Sequence, residues 1–505
     1  MGVDLSNQPI SMGQRSVEGF LWSGSAVVVQ AASQLLVLGI LARLLTAFEF
    51  GVVSAALVVV ALIRIFTESL IGPALTQRSD LTERHERAAF ALSIYFGVAS
   101  SVVLWASAGL VAGVFNIQAL IPVVQVLSIM FLLEAPGAVP AALMQRDLAF
   151  ARLSIVETVS FIVGYAAVGV VLALMGAGVW ALVAAQLSYS FVRSTILLFS
   201  RSNAFGLVPF RRETKEILTY GGGHASARFF NYLAVEGDYF VVGRWISAEA
   251  LGFYGRAYQL AMRPSVLLGK ALDRVIFPVM AAVQTDYQRL KRVYRRSVSL
   301  VVTLTTPISA LGVVLGPEVV RVVLGPGWEP ANVPFQVFSA GLLFRSVYKP
   351  ADSLAKALGI VYRRARRQAV YAVLVFGFAL IGTRWGLPGV ALGVFAAVVA
   401  NSLMMAQLSL VALGLRWRDY LSAHYRGLLL GLAAVVVAWP TSALIRVGGG
   451  GDIQVLFGSL GACSVVAVVA VLISPEATVG ADVLWFRSRA RRRVKDSEDI
   501  EPRGS

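Results

Sequence analysis

Between His224 and Phe240 the chain reads HASARFFNYLAVEGDYF, placing His224, Arg228, Glu236 and Asp238 inside an otherwise apolar stretch of membrane-spanning length. A charge at the centre of a bilayer costs about 2.5–3.5 kcal/mol on insertion scales, so such residues normally face a bundle interior or a watery cavity. Arg228, Tyr232 and Glu236 step by four and share one helical face. Arg256, Arg263 and Lys270 repeat every seven residues, again on one face with slow drift. Arg345, Lys349, Asp352 and Lys356 step by 4, 3 and 4. Three helices that are polar on one side and apolar on the other predict a hydrated, cationic cavity.

Guanidinium and ammonium groups in such a cavity bind anions, and arginine is suited to bidentate phosphate contact. Arg228, Arg256, Arg263, Lys270, Arg345 and Lys349 are the candidate anion-binding residues. Part of the charge is expected to be neutralised by pairing among Arg64, Glu68, Glu236, Asp238, Asp273 and Asp352. The local pairs are Asp352 with Lys349 and Lys356, Asp273 with Lys270, and Glu68 with Arg64. The competing reading is that all of these charges are structural pairs, with Lys356 and Arg274 reaching to the interface. The cations outnumber the acids on these helices, which favours a ligand. In the first half, Glu68 and Glu157 are carboxylates able to hold a proton or a sodium ion. Tyr232 and Tyr239 suit either sugar contact or packing.

Other chemistries find no residues. There is one cysteine, Cys463, and the three histidines are scattered. No HExxH, GxxxxGK[ST] or GxGxxG occurs, and the lookalike at Gly269-Lys270 has Pro264 where the first glycine belongs. No cofactor, no metal and no ATP hydrolysis are expected. No connection between apolar stretches exceeds about 20 residues, which leaves no room for a soluble catalytic domain.

The elements that must position these residues follow from hydropathy and charge. The chain has 505 residues, of which 57% are hydrophobic and 14% charged, against roughly 25% charged in soluble proteins. Its mean hydropathy is +0.74. A span needs about 20 mostly apolar residues. That rule predicts an all-α polytopic membrane protein with about fourteen transmembrane helices, near 20–42, 50–75, 88–112, 118–143, 154–176, 179–199, 216–242, 249–283, 297–320, 331–358, 368–383, 387–413, 425–445 and 453–474. Of the 44 Lys and Arg, 29 fall at the termini and in alternate connections, five (Arg43, Arg244, Arg321, Arg384, Arg446) on the other side, and ten within spans. This asymmetry predicts that both termini are cytoplasmic. It also removes nucleic acid as a partner, because the net charge of +16 is spread over loops on one side. Residues 1–19 are polar and run straight into the first span, which is read as retained.

The chain also resembles itself at an offset near 200. ARLLTAFEFGVVS (42–54) aligns with GRWISAEALGFYG (243–255), pairing Arg43 with Arg244 and Gly51 with Gly252. PAALMQRDL (140–148) aligns with PADSLAKAL (350–358), pairing Arg146 with Lys356. Six helices per repeat put both halves in the same orientation, a parallel repeat about an axis along the membrane normal. The expected division is a first lobe at 1–205, a second at 206–415, two further helices at 416–480 and a basic cytoplasmic tail at 481–505.

With these features the chain resembles the multidrug/oligosaccharidyl-lipid/polysaccharide exporter superfamily, and within it the lipopolysaccharide and exopolysaccharide flippases of the colanic-acid exporter type. The stretches that carry the likeness are LARLLTAFEFGVVSAALVVVAL, ALMQRDLAFARLSIVET, FNYLAVEGDYFVVGRWISAEALGFYGRAYQLAMRPSVLLGKALDRVIFPVMAAVQ and VLGPGWEPANVPFQVFSAGLLFRSVYKP. The resemblance implies translocation of an undecaprenyl-diphosphate-linked oligosaccharide repeat unit across the bacterial inner membrane by alternating access. It further implies coupling to an ion gradient, with Glu68 and Glu157 as coupling candidates, and work alongside a polysaccharide polymerase or export machinery. A functional monomer embedded in membrane lipids is expected. A small-molecule or ion exporter of the same superfamily is the alternative, and a membrane glycosyltransferase or polymerase a weaker one.

Overall fold

Thr46 and Ser247 align in the two self-similar stretches of the sequence, and each starts a long helix. The Thr46 hydroxyl accepts from the Glu49 amide while the Glu49 carboxylate accepts from the Thr46 amide, a reciprocal cap. The Ser247 hydroxyl accepts from the Ala250 amide at 3.0 Å. The computed structural model describes residues 30–78, 80–200, 206–207 and 210–473. Among these there are helices and no strand. They run as α1 (Gln30–Leu44), α2 (Ala47–Gln77), α3 (Glu83–Phe115), α4 (Leu120–Leu127), α5 (Ile129–Arg146), α6 (Phe150–Phe161), a π-helical stretch (Ile162–Gly169), α7 (Val170–Leu174) and α8 (Val179–Ser200). The second half continues with α9 (Arg211–Trp245), α10 (Ala248–Ala282), α11 (Tyr287–Val314), α12 (Gly316–Leu324), α13 (Asn332–Ala357), α14 (Val361–Gly382), α15 (Gly386–Leu413), α16 (Trp417–Ser422), α17 (Tyr425–Val447) and α18 (Asp452–Ile473).

Nine helical stretches among the described residues are long and apolar enough to cross a membrane, and the chain is a multi-pass membrane protein. The expected fourteen spans exceed that number at identifiable places. α9, α10 and α13 have the length, at 35, 35 and 26 residues, but carry the charged faces noted above. α14 and α15 count as one apolar stretch broken by a turn at 383–385. α1 is described only from Gln30.

Two boundaries differ from expectation for one physical reason. The span expected at 368–383 begins at Val361, so Arg363–Arg367 lie in its first two turns and not in a loop. The span expected at 297–320 is α11 from Tyr287, followed by the separate α12. Arginine and lysine are good helix formers, so a helix runs on past the apolar slab into water.

α2 and α10, whose first turns align in the sequence, cross each other closely. A Cβ on Gly51 would sit 1.6 Å from the Ala248 carbonyl oxygen, and one on Gly252 would sit 1.9 Å from that of Ala47. The contact is reciprocal, with the fifth residue of each helix against the first residue of the other, and only glycine allows it. Phe50, Phe253 and Trp328 stack edge-to-face around it, each phenylalanine ring 5.6 Å from the indole. The Trp328 indole N–H donates to the Ala42 carbonyl at 2.9 Å.

Three of the five sparse arginines at this end are held structurally. Arg43 donates to the Val322 and Val323 carbonyls at 2.6 and 3.0 Å, capping α12. Glu318, fully buried, pairs with Arg446 and Arg321, and Arg321 also pairs with Asp452 at 2.8 Å. At the opposite, arginine-rich end, Arg146 donates to the carbonyls of Leu75 and Arg78 and caps α2.

The buried cores divide accordingly. At the Gly51 end one continuous core takes side chains from α1–α4 and α8 together with α9, α10, α13, α14 and α15. At the arginine-rich end the cores are separate, the smallest joining α5, α6 and α8. Of the two larger, one joins α2, α3 and α5 with Ile217 of α9, and the other joins α10, α11, α13 and α15. Glu216, next to Ile217, accepts from Arg78 at 2.7 Å and from Arg212 at 3.2 Å and lies 3.3 Å from His85, which ties the start of α9 to the first half.

Candidate functional site

On the arginine-rich side a cavity of about 480 Å³ opens into the interior. Its walls are the far turns of α2 (Thr67, Ile71, Pro73, Thr76), α3 (Ser93, Gly97), α5 (Phe131 to Gln145), Arg193 of α8 and Arg228 of α9. Small residues on α5 (Ala135, Ala138, Ala141, Ala142) leave the space, and Pro73 within α2 removes a backbone donor there. The acid on this wall, Glu134, is already engaged: Arg64 pairs with it at 2.9 Å and the Ser190 hydroxyl donates to it at 2.8 Å. Arg193 makes no hydrogen bond or ion pair among the described residues. Arg193 and Arg228 thus reach this cavity beside a carboxylate that is already paired, and a guanidinium is a group that can offer an anion planar, paired donors.

A second cavity of about 310 Å³ lies within the second half. It is lined by Arg345, Lys349 and Arg364, by Tyr258 and Tyr371, and by Asn401, whose buried side-chain oxygen has no hydrogen-bond partner. Arg345 donates to the Tyr258 hydroxyl at 2.8 Å and lies over that ring at 5.1 Å, with no carboxylate in ion-pair range among the described residues. Arg364 and Lys356 both pair with Asp352, Lys356 at 2.7 Å.

The structure therefore distributes the expected residues over three places. Arg228 lines the first cavity, and Arg345 and Lys349 the second. Arg256 and Arg263 share one face of α10, as their spacing predicted, and that face meets the first half. Arg256 lies over the Phe50 ring at 4.7 Å with its buried Nε unsatisfied, and Arg263 donates to Gln34. The side chains of Lys270, Glu68, Asp273, Arg274 and His224 lie outside the described residues.

Asp238 is buried among aromatic rings, accepting from the Tyr254 hydroxyl at 2.6 Å and the Tyr239 amide at 3.0 Å. Glu236 is half-buried one face round. Tyr232 donates to the Val58 carbonyl at 2.7 Å, and Tyr239 stacks edge-to-face on Tyr254 and Tyr258, so both pack the core. Glu157 is half-buried on α6 and lines neither cavity.

Two cavity-lining side chains escaped the spacing rules. Glu134 is a lone acid in an apolar run, a signal equal to that of Glu68. Its pairing with Arg64, 70 positions away, is tertiary and leaves no trace in local sequence. Arg364 belonged to a presumed loop, and only the early start of α14 brings it to Asp352.

The chain covers most of several known proteins. It is 24% identical over 448 residues to the lipopolysaccharide biosynthesis protein WzxC of Escherichia coli (strain K12), spanning 86% of this chain and 89% of that one. It is 24% identical over 360 residues to the teichuronic acid biosynthesis protein TuaB of Bacillus subtilis (strain 168), spanning 69% and 72%. Among solved structures, the lipid II flippase MurJ in an inward closed conformation superposes with a TM-score of 0.74 at 13% identity, covering 90% of this chain and 99% of that chain. An inward-facing multidrug resistance MATE transporter of the MOP superfamily superposes at 0.62 with 16% identity, covering 76% and 95%. These two establish the fold. The family described as "Polysaccharide biosynthesis protein" matches residues 40–333. That match spans the first cavity, both repeat turns and the arginine faces of α9 and α10, and the chain belongs to this polysaccharide biosynthesis protein family.

Proposed function

We propose that this protein is a flippase that moves a lipid-linked oligosaccharide repeat unit across the bacterial inner membrane for polysaccharide assembly. The carrying observation is the cavity at the arginine-rich end that α2, α3, α5 and α8 of the first half wall and that Arg193 of α8 and Arg228 of α9 enter. The names of the relatives in lipopolysaccharide and teichuronic acid biosynthesis, and the fold of a lipid II flippase, support the same reading. The protein is a transporter and not an enzyme.

The finer reading takes an undecaprenyl diphosphate as the carrier. Its charge must cross a low-dielectric slab, and Arg193 and Arg228 provide partners that water provides outside. The arginine-rich end is cytoplasmic by charge asymmetry. The halves 1–205 and 206–415 rock about the Gly51 end, exposing the cavity first to the cytoplasm and then to the periplasm. An ion gradient drives the cycle, with Glu68 and Glu157 as the coupling candidates. The protein works as a monomer and hands its cargo to a polymerase.

The test is translocation of a lipid-diphosphate oligosaccharide in liposomes, wild type beside Arg228→Ala, Arg263→Ala and Arg345→Ala, each checked for folding. Loss of transport in folded variants supports diphosphate handling by these arginines. Persistence in all three removes them from the site. A wild type that moves no such lipid under any ion gradient overturns the function.

A further inference from the structure

At the arginine-rich end, on the outside of the second half, α11 and α17 enclose a pocket of about 520 Å³. Arg292, Arg295, Arg296 and Ser299 come from one face of α11, spaced i, i+3, i+4 and i+7. Arg426 comes from α17 and Ser422 from the end of α16. No acid among the described residues lines the pocket. Arg292, Arg295 and Arg426 make no ion pair or hydrogen bond among the described residues.

The spacing of these arginines is imposed by packing. A Cβ on Gly427 would lie 2.5 Å from the Val302 side chain, and one on Gly431 would lie 2.6 Å from that of Thr306. This GxxxG approach clamps α17 onto α11 directly below the charges. The arginines therefore cannot spread apart to relieve their repulsion, and an anion relieves it instead. Solvated arginines at a cytoplasmic interface are the ordinary alternative. That alternative explains the charge but not the concavity, the missing acids or the two hydroxyls.

The surroundings select the kind of anion. Tyr425 lines the pocket and begins an exposed apolar row on α17 that continues through Leu429, Leu432 and Val436. Trp417 and Leu421 are exposed on α16 beside it, as interfacial residues are. A charged head with apolar tails fits a basic pocket that opens onto an apolar helix face. We propose that this pocket binds the phosphodiester headgroup of an anionic phospholipid, its chains lying along α17.

Native mass spectrometry of the full-length protein in mild detergent, titrated with phosphatidylglycerol or with phosphatidylcholine of the same chains, tests this. Wild type is expected to hold phosphatidylglycerol at least tenfold tighter. The Arg292→Gln/Arg295→Gln/Arg426→Gln variant should bring the two lipids to parity. Arg363→Gln/Arg366→Gln, which removes two exposed positive charges at the same end, should leave the preference intact. Parity in wild type, an unchanged preference in the triple variant, or an equal loss in the control pair overturns the proposal. Displacement of the lipid by equimolar inorganic phosphate also overturns it, by showing a bare phosphate site. If the triple variant does not fold, Arg426→Gln alone should weaken phosphatidylglycerol at least threefold, and no weakening is a failure.

Discussion

Arg193 and Arg228 enter the same cavity from different helices, while the nearby Glu134 is spoken for by Arg64. Hydrogen bonds to charged groups contribute about 1.5–3 kcal/mol each. Arg193→Ala and Arg228→Ala are therefore each expected to slow lipid-diphosphate transport roughly tenfold to a hundredfold, and Arg→Lys to recover part of it. Unchanged initial rates in liposomes would remove the pair from the site. The Tyr254–Asp238 bond makes a stability prediction instead. Tyr254→Phe leaves a buried carboxylate short of a donor and should cost about 1.5–3 kcal/mol, read as a lower unfolding midpoint in detergent. At this scale the sequence was only partly legible. Arg228 announced itself as a charge in an apolar stretch, and the seven-residue spacing put Arg256 and Arg263 on one face. Which wall each would meet depended on helix packing, which local spacing does not encode, so the Arg64–Glu134 pair and the Arg364–Asp352 pair stayed hidden.

Among the helices, α2 and α10 carry the closest backbone contact between the repeats. Gly51→Ala would push a methyl group into the Ala248 carbonyl, and backbone cannot rotate away as a side chain can. The variant is expected to disfavour the closed arrangement of the Gly51 end. Cysteines placed in the cavity should then react faster with a membrane-impermeant reagent added from that side, and an unchanged rate would deny the contact its role in closure. Most helices were readable because apolar runs and charge alternation agree on them. The starts of α11 and α14 were not, because hydropathy marks where lipid ends and says nothing of where hydrogen bonding ends. The Gly51–Gly252 pairing was visible as an alignment, but that the two glycines meet each other's helices was not.

For the molecule as a whole, one shared core at the Gly51 end and separate cores at the other are the arrangement from which the proposed alternating cycle would start. Phe48 and Glu249, the exposed second residues of α2 and α10, flank the reciprocal crossing. Replacing both by cysteine and joining them with a short reducible cross-linker should stop transport, and reduction should restore it. Continued transport in the cross-linked protein would mean that the crossing never opens. The crossing also sets the scale of the motion. α10 has 35 residues and is about 52 Å long at 1.5 Å per residue. Pivoted at its first turn, it is a lever, and a swing of about 10° carries its far end through about 9 Å. In the proposed cycle, two glycines that let backbones touch would convert a change of less than a side chain's width at one surface into a doorway for a sugar chain at the other.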